Sequence, residues 1–262
     1  MRRIRCSAWV PSLFLLVALA FGEADSPGPN IASGAVAIRP AMVIGFVGGF
    51  VKHDNLVHST VQVAEHLRQQ YPTGVYVQAF ENRHREQAYR EILRRLDLDH
   101  DGTLSTEEKQ AARIIIFGHS WGASETVALA RKLERDGIPV LLTIQVDSIS
   151  KIGQNDAVIP GNVEEAVNFY QPNGLLHGQP EIRATDPERT QIIGNYRLDY
   201  KANPVSCQQY PWFDRVLMKS HIEIECDPKV WTQVESLIHS KLSAETPNSS
   251  GLLHASSSAK LW

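Results

Sequence analysis

The amino-acid sequence predicts an α/β fold with a mostly parallel central sheet and helices on both faces. Three observations predict it. Short apolar, β-prone runs recur at Met42–Val47, Val75–Phe80, Arg113–Phe117 and Ile138–Val146. Segments with helical spacing separate them, so strand and helix alternate as βαβ units require. The third run passes through a tight glycine turn straight into a helix-forming segment, Ala123–Arg135.

Taken in order, the chain opens on Arg2, Arg3 and Arg5, an apolar run from Trp9 to Phe21, and small residues ending at Ala24. That pattern reads as a secretory signal over residues 1–24, cleaved after Gly22 or Ala24. The apolar run is shorter than the about 20 residues that a bilayer span needs. Residues 25–34 read as a Pro/Gly/Ser-rich leader, and Ala35–Arg39 as an edge strand. Met42–Val47 is a buried strand leading into Gly48-Gly49-Phe50. Val57–Gln70 carries Val61, Ala64 and Leu67 on one helical face, and Pro72-Thr73-Gly74 is a turn before the strand Val75–Phe80. Arg85–Leu96 is a helix with Ala88, Ile92 and Leu96 aligned. An acidic loop at 97–108 and a short helix to about Ala112 precede the third strand. Asp136-Gly137 stops the next helix, and the strand Ile138–Val146 ends at Asp147. Residues 148–220 are irregular and rich in aromatics, Pro, Gly and Asn; they read as an insertion with strands near Ala166–Tyr170 and Gln191–Ile193, covering part of the site. Pro228–Leu242 is a final helix, and 243–262 a Ser-rich disordered tail.

Composition bounds the function. With 262 residues, 43% of them hydrophobic, the chain suits one globular domain, here 35–242. Its formal charge of −3 becomes −6 once the three arginines of the signal are lost, which argues against a nucleic-acid partner. Cys207 and Cys226 remain beyond the leader, an even count that in an exported protein points to a disulfide.

Gly118-His119-Ser120-Trp121-Gly122 is the chemical centre of the sequence. A turn of this form between strand and helix strains the serine backbone and projects its hydroxyl above the sheet edge, with glycines giving neighbouring backbone room. A serine hydroxyl attacks only when a histidine removes its proton, and that histidine needs a carboxylate to hold it. On these residues the chain resembles the α/β-hydrolase superfamily, of the lipase and esterase kind, from about Ala41 to Leu242. The resemblance implies a nucleophile, acid and base in chain order, met here by Ser120, Asp147 and His221. Asp156, Asp186 and Asp199 are further candidate acids, and His53 and His58 further candidate bases; His119 is expected to pack below the turn. The resemblance also implies an oxyanion hole from the N–H of Trp121 and an N–H in the Gly48–Val51 loop, Phe50 first and Gly49 next, although the family's usual His-Gly pair is missing there.

A second motif runs from Asp97 to Glu108 and fits D-x-D-x-D-G-x5-E in full. Asp97, Asp99 and Asp101 present oxygens to one centre, Gly102 permits the sharp turn, Thr103 offers its carbonyl, and Glu108 closes the site. This resembles an EF-hand loop, implying a structural Ca2+ rather than a sensor, since no second loop pairs with it. Ser105 and Glu108 also fit a helix capping box, which is compatible with the ion. The expectation is thus a secreted or periplasmic serine hydrolase. It would act on a small-molecule or lipid ester, carry a structural calcium site, use no organic cofactor and keep no membrane span after signal cleavage. A peptidase or thioesterase using the same triad is the alternative, as is a non-catalytic calcium-dependent binding protein.

Overall fold

The computed structural model describes residues 41–243. The signal, the leader, the strand at Ala35–Arg39 and the tail from residue 244 lie outside the described residues. Strand β1 (Ala41–Val47) is followed by α1 (Ser59–Gln70), β2 (Val75–Glu81), α2 (Arg85–Leu96), α3 (Thr106–Gln110), β3 (Ile114–His119), α4 (Trp121–Arg135) and β4 (Val140–Val146). Then come β5 (Val158–Ile159), β6 (Val163–Tyr170), β7 (Arg183–Ala184), β8 (Gln191–Arg197), α5 (Trp212–Leu217), α6 (Lys219–Glu225) and α7 (Pro228–Ser243).

Six strands form one sheet in the order β2-β1-β3-β4-β6-β8, and every pairing is parallel. The alternating apolar runs therefore build the α/β architecture that the sequence predicts. Period-two alternation within each strand splits the core into two layers. Met42, Ile44 and Phe46 of β1 join Ile114 and Ile116 of β3 against Ile92 of α2 and Leu129 and Leu133 of α4. Val43, Ile115, Phe117 and Ile144 face the other way, onto Leu67 of α1 and Trp231, Val234 and Ile238 of α7. Covering both faces explains why β1, β3 and β4 are buried along their whole length.

Two parts differ from the sequence expectation. Residues 148–220 are not simply an insertion, because β6 and β8 extend the main sheet beside β4. Both are longer than the expected fragments, and the register shifts between Ala166 and Val167. His221 stands within a short helix, α6, to which the sequence pattern assigns no element.

Candidate active site

Strands β3 and β4 lie side by side and parallel, so their carboxyl ends deliver Ser120 and Asp147 to the same sheet edge. Ser120 has φ 57° and ψ −126°, the left-handed side of backbone space that a non-glycine residue occupies under strain. Its N–H donates to Val146 O at 3.0 Å, which ties the turn to the end of β4. The flanking glycines leave no spare room. A Cβ on Gly118 would sit 2.6 Å from Gly122 O, and one on Gly122 would sit 2.6 Å from the Phe46 carbonyl carbon. Close approach of α4 to β1 and β3 is thus what the Gly-x-Ser-x-Gly pattern permits.

His221 bridges the other two residues. Its Nδ1 lies 2.6 Å from Asp147 Oδ2, and its Nε2 lies 2.9 Å from Ser120 Oγ. All three are buried. That arrangement is met by an Nδ1–H donating to the carboxylate and an Nε2 accepting from the serine hydroxyl. Asp147, itself at φ 46°, is held by three more donors. Gly178 N–H and Gln171 N–H reach Oδ1 at 2.8 and 3.1 Å, and Gln171 Nε2 reaches Oδ2 at 2.9 Å. Gly178 is another forced glycine, since its Cβ would lie 2.6 Å from Asp147 Cα. The sequence reading did not find Gln171 or Gly178. Nothing local marks residues that meet Asp147 only because β6 pairs with β4 and the chain after β6 folds back over its end.

The other candidates are engaged elsewhere. Asp156 accepts from Ser148 Oγ and Ser150 Oγ. Asp186 accepts Glu188 N–H at 3.0 Å, and Asp199 accepts Lys201 N–H at 3.1 Å. His53 faces Glu81 at 3.8 Å. His58 Nδ1 lies 3.2 Å from Glu225 Oε1, and Glu225 Oε2 pairs with Nδ1 of the buried His119. The His119 ring lies 4.6 Å from that of His221. Burial pushes the Glu225 carboxyl up, but the charge and hydrogen bond of His119, then those of His58, outweigh it and leave it well below the usual carboxylate range. Tyr210, packed edge-on to His58, is pushed up by burial and then by the charge of Glu225.

Ser120 and His221 open into a cavity of about 720 Å³. Its apolar wall includes Phe50, Trp121, Ile149, Leu176, Met218 and Ile222. Ile149, Leu176 and Met218, together with Tyr210 and Asp214, bring the 148–220 segment into the lining. Trp121 is the first residue of α4, where a helix leaves its N–H without an intrahelical acceptor. The Gly48–Val51 loop abuts the serine, since a Cβ on Gly48 would sit 2.9 Å from Ser120 Cβ. Phe50, largely exposed, packs edge-on against Trp121 at 5.6 Å. Cys207 and Cys226 pair as a disulfide, Cα atoms 6.0 Å apart, joining the end of α6 to the loop before α5.

In the acidic loop, Asp97, Asp99 and Glu108 each offer a carboxylate oxygen, all within 4.8 Å of one another. Asp97 Oδ1 is buried without a hydrogen-bond partner among the described residues. Asp101 is outside that cluster, and its Oδ1 accepts Thr103 N–H at 2.7 Å and Thr103 Oγ1 at 2.8 Å. Ser105 and Glu108 form the capping box of α3. Glu108 Oε1 also accepts Leu98 N–H at 2.7 Å, closing the loop on itself.

No protein-family model and no curated protein matches the chain. Among solved structures it is similar to a dienelactone hydrolase from Anabaena variabilis (13% identity, 78% of this chain and 85% of that one, TM-score 0.38). A thermostable esterase from Pseudomonas putida is similar at 12% identity, over 78% of this chain and 74% of that one, with a TM-score of 0.39. So is a thioesterase of the prodiginine biosynthetic pathway in Streptomyces coelicolor, at 13% identity over 76% and 98%, with a TM-score of 0.33.

Proposed function

We propose that the protein is an exported serine hydrolase that cleaves a carboxylic ester through an acyl-enzyme. One observation carries this reading: the unbroken hydrogen-bonded line from Ser120 Oγ through His221 to Asp147 at the floor of an apolar cavity. As Ser120 Oγ attacks the ester carbonyl carbon, His221 Nε2 takes its proton, and Asp147 steadies the imidazolium that results. The oxyanion is held by the N–H of Trp121 and that of Phe50, with Gly49 the neighbouring donor. His221 then returns the proton to the leaving alkoxide. A water, deprotonated by the same imidazole, attacks the acyl carbonyl and frees Ser120. An apolar cavity suits the acyl or aryl part of a small-molecule or lipid ester.

The test is labelling with a fluorophosphonate probe. The wild type is expected to label stoichiometrically and Ser120→Ala not at all, with both melting alike; an unlabelled wild type would overturn the assignment.

We further infer that the 97–108 loop holds a structural Ca2+ through Asp97, Asp99 and Glu108, with Asp101 and Thr103 completing the set. The convergent carboxylates and the orphaned Asp97 Oδ1 support it. Bound there, the ion would pin the crossover from α2 into β3, the strand that carries Ser120. Export rests on the signal-like residues 1–24. Among the described residues no helix is long and apolar enough to cross a membrane. An oxidising compartment is also where the Cys207–Cys226 disulfide persists.

A further inference from the structure

The cavity wall contains a second acid–imidazole pair that the proton relay does not use. His58, just ahead of α1, lines the cavity with 17% of its side chain exposed. Its Nδ1 is held by Glu225 Oε1 at 3.2 Å, and Glu225 is 2% exposed. The ring is also gripped from the side by Tyr210, 5.3 Å away at 89°. Tyr210 is fixed in turn by its hydroxyl donating to Val57 O at 3.3 Å. Ser59 Oγ donates to the Glu225 backbone carbonyl at 2.6 Å, pinning the start of α1 to the end of α6. His58 Nε2 has no protein partner among the described residues.

A carboxylate buried this deeply is costly unless paired, and Glu225 serves two rings at once, its Oε2 pairing with His119 Nδ1 while its Oε1 holds His58. With Nδ1 held by Glu225, the free valence of the ring is at Nε2. We propose that His58 is a specificity-determining residue of the Ser120 cavity, and that it hydrogen-bonds a hydroxyl carried by the substrate ester. This deepens the hydrolase reading and rests on it. The choice of a hydroxyl follows from the wall. A neutral imidazole presents Nε2 as an acceptor and an imidazolium presents it as a donor, and a hydroxyl serves either form. A substrate carboxylate would meet Asp54 and Asp214 in the same lining, where Lys52 is the one lysine or arginine and where Glu225 already takes up His58 and His119. Wholly apolar esters would leave Nε2 covered and unpaired.

The experiment compares kcat/KM for paired p-nitrophenyl esters, butyrate against 3-hydroxybutyrate and 4-hydroxybutyrate, in the wild type, His58→Phe and His58→Gln. The wild type should favour at least one hydroxylated ester by about tenfold or more, the scale set by one hydrogen bond whose loss leaves a polar atom buried. In His58→Phe that ratio should fall to near one, and in His58→Gln it should partly return. A merely structural role would lower both members of a pair together and leave the ratio unmoved. No preference in the wild type, or a ratio unchanged in His58→Phe, overturns the proposal. If His58→Phe does not fold, His58→Leu takes its place, with the same expected loss of the ratio and the same refutation if the ratio is unmoved. Fluorophosphonate labelling of the same samples separates the two failures: labelled enzyme without a preference refutes this proposal alone, whereas unlabelled wild type refutes the hydrolase itself.

Discussion

Substituting Gly122 by alanine tests the packing that shapes the serine turn. The added Cβ would lie 2.6 Å from the Phe46 carbonyl carbon and 2.8 Å from Val47 O, and nearer still to Phe46 O. Ordinary contact begins at 3.4 Å, so the carbonyl carbon alone demands a retreat of α4 from β1 by about 0.8 Å, and Phe46 O demands more. The opposing atoms are backbone of a fully buried strand and cannot swing aside. Overpacking of this kind costs about 3 kcal/mol. In a domain of this size that lowers Tm by about 6–12 °C. Ser120 immediately precedes α4, so the same retreat stretches its 2.9 Å contact with His221. A displacement near 1 Å in a reacting pair costs about 10²-fold in rate. Calorimetry and ester hydrolysis on Gly122→Ala read the two effects separately. Gly161→Ala is the control, because its Cβ would meet nothing nearer than Glu134 Oε1 at 3.6 Å. Equal melting of the two variants would refute the packing argument, whatever the activity.

Three further outcomes are expected. Chelation of Ca2+ should lower Tm of the wild type, and Asp97→Ala should abolish that difference; identical melting curves with and without chelator would remove the ion from the account. Reducing Cys207–Cys226, a pair 19 residues apart, should remove about 3 kcal/mol and about 6–12 °C of Tm, whereas a mass gain on alkylating the unreduced protein would show free thiols instead. Burial pushes the Glu223 carboxyl up from the ordinary value of 4.5, and Lys219 opposes this only in part. The folded state therefore keeps a proton that the unfolded chain has already lost, so stability falls as pH rises above 4.5. The Tm of Glu223→Gln should thus match the wild type near pH 4 and exceed it once the pH is well above 4.5; a gap that does not change with pH would contradict the burial argument.

Much of this fold is legible in the sequence because its central strands are buried on both faces and read as apolar runs. Phe46, Ile116 and Ile144 face one packed helix layer or the other, so pattern and burial agree there. Beyond Asp147 they part. Strand β8 forms the sheet edge, and Tyr196 and Arg197 on it are exposed, so it carries no continuous apolar signal. Strand β6 is masked differently, by Glu164 and Glu165 at its start and Asn168 in its buried half. Gln171 directly follows β6 and Gly178 lies in the loop after it, so their roles were out of reach with that strand. The candidate catalytic groups were legible for another reason: Ser120 lies in a turn whose glycines are required by the backbone of Phe46, and Asp147 directly ends a strand that pairs with β3.

Helix α6 shows why the surroundings of His221 escaped. Its sequence, Lys-Ser-His-Ile-Glu-Ile-Glu, has the polarity of a surface loop, yet Ser220 through Glu225 are all buried. A local pattern can conflict with burial only where long-range partners compensate, and each buried polar group here has such a partner or registers the lack of one. His221 is met by Asp147 and Ser120, and Glu225 by His58 and His119. Glu223 Oε2 has no partner among the described residues, and its carboxyl is the one that burial raises. These compensations come from β3, β4 and the start of α1, which are distant in the chain. The disulfide at Cys226 fixes the end of this same helix. Shifting α6 by one residue would turn it by about 100°, carrying His221 away from Ser120 and Asp147 and Glu225 away from His58 and His119 together. The polarity that hides the helix from sequence reading is thus the same property that locks its register, and with it the line from Asp147 to Ser120.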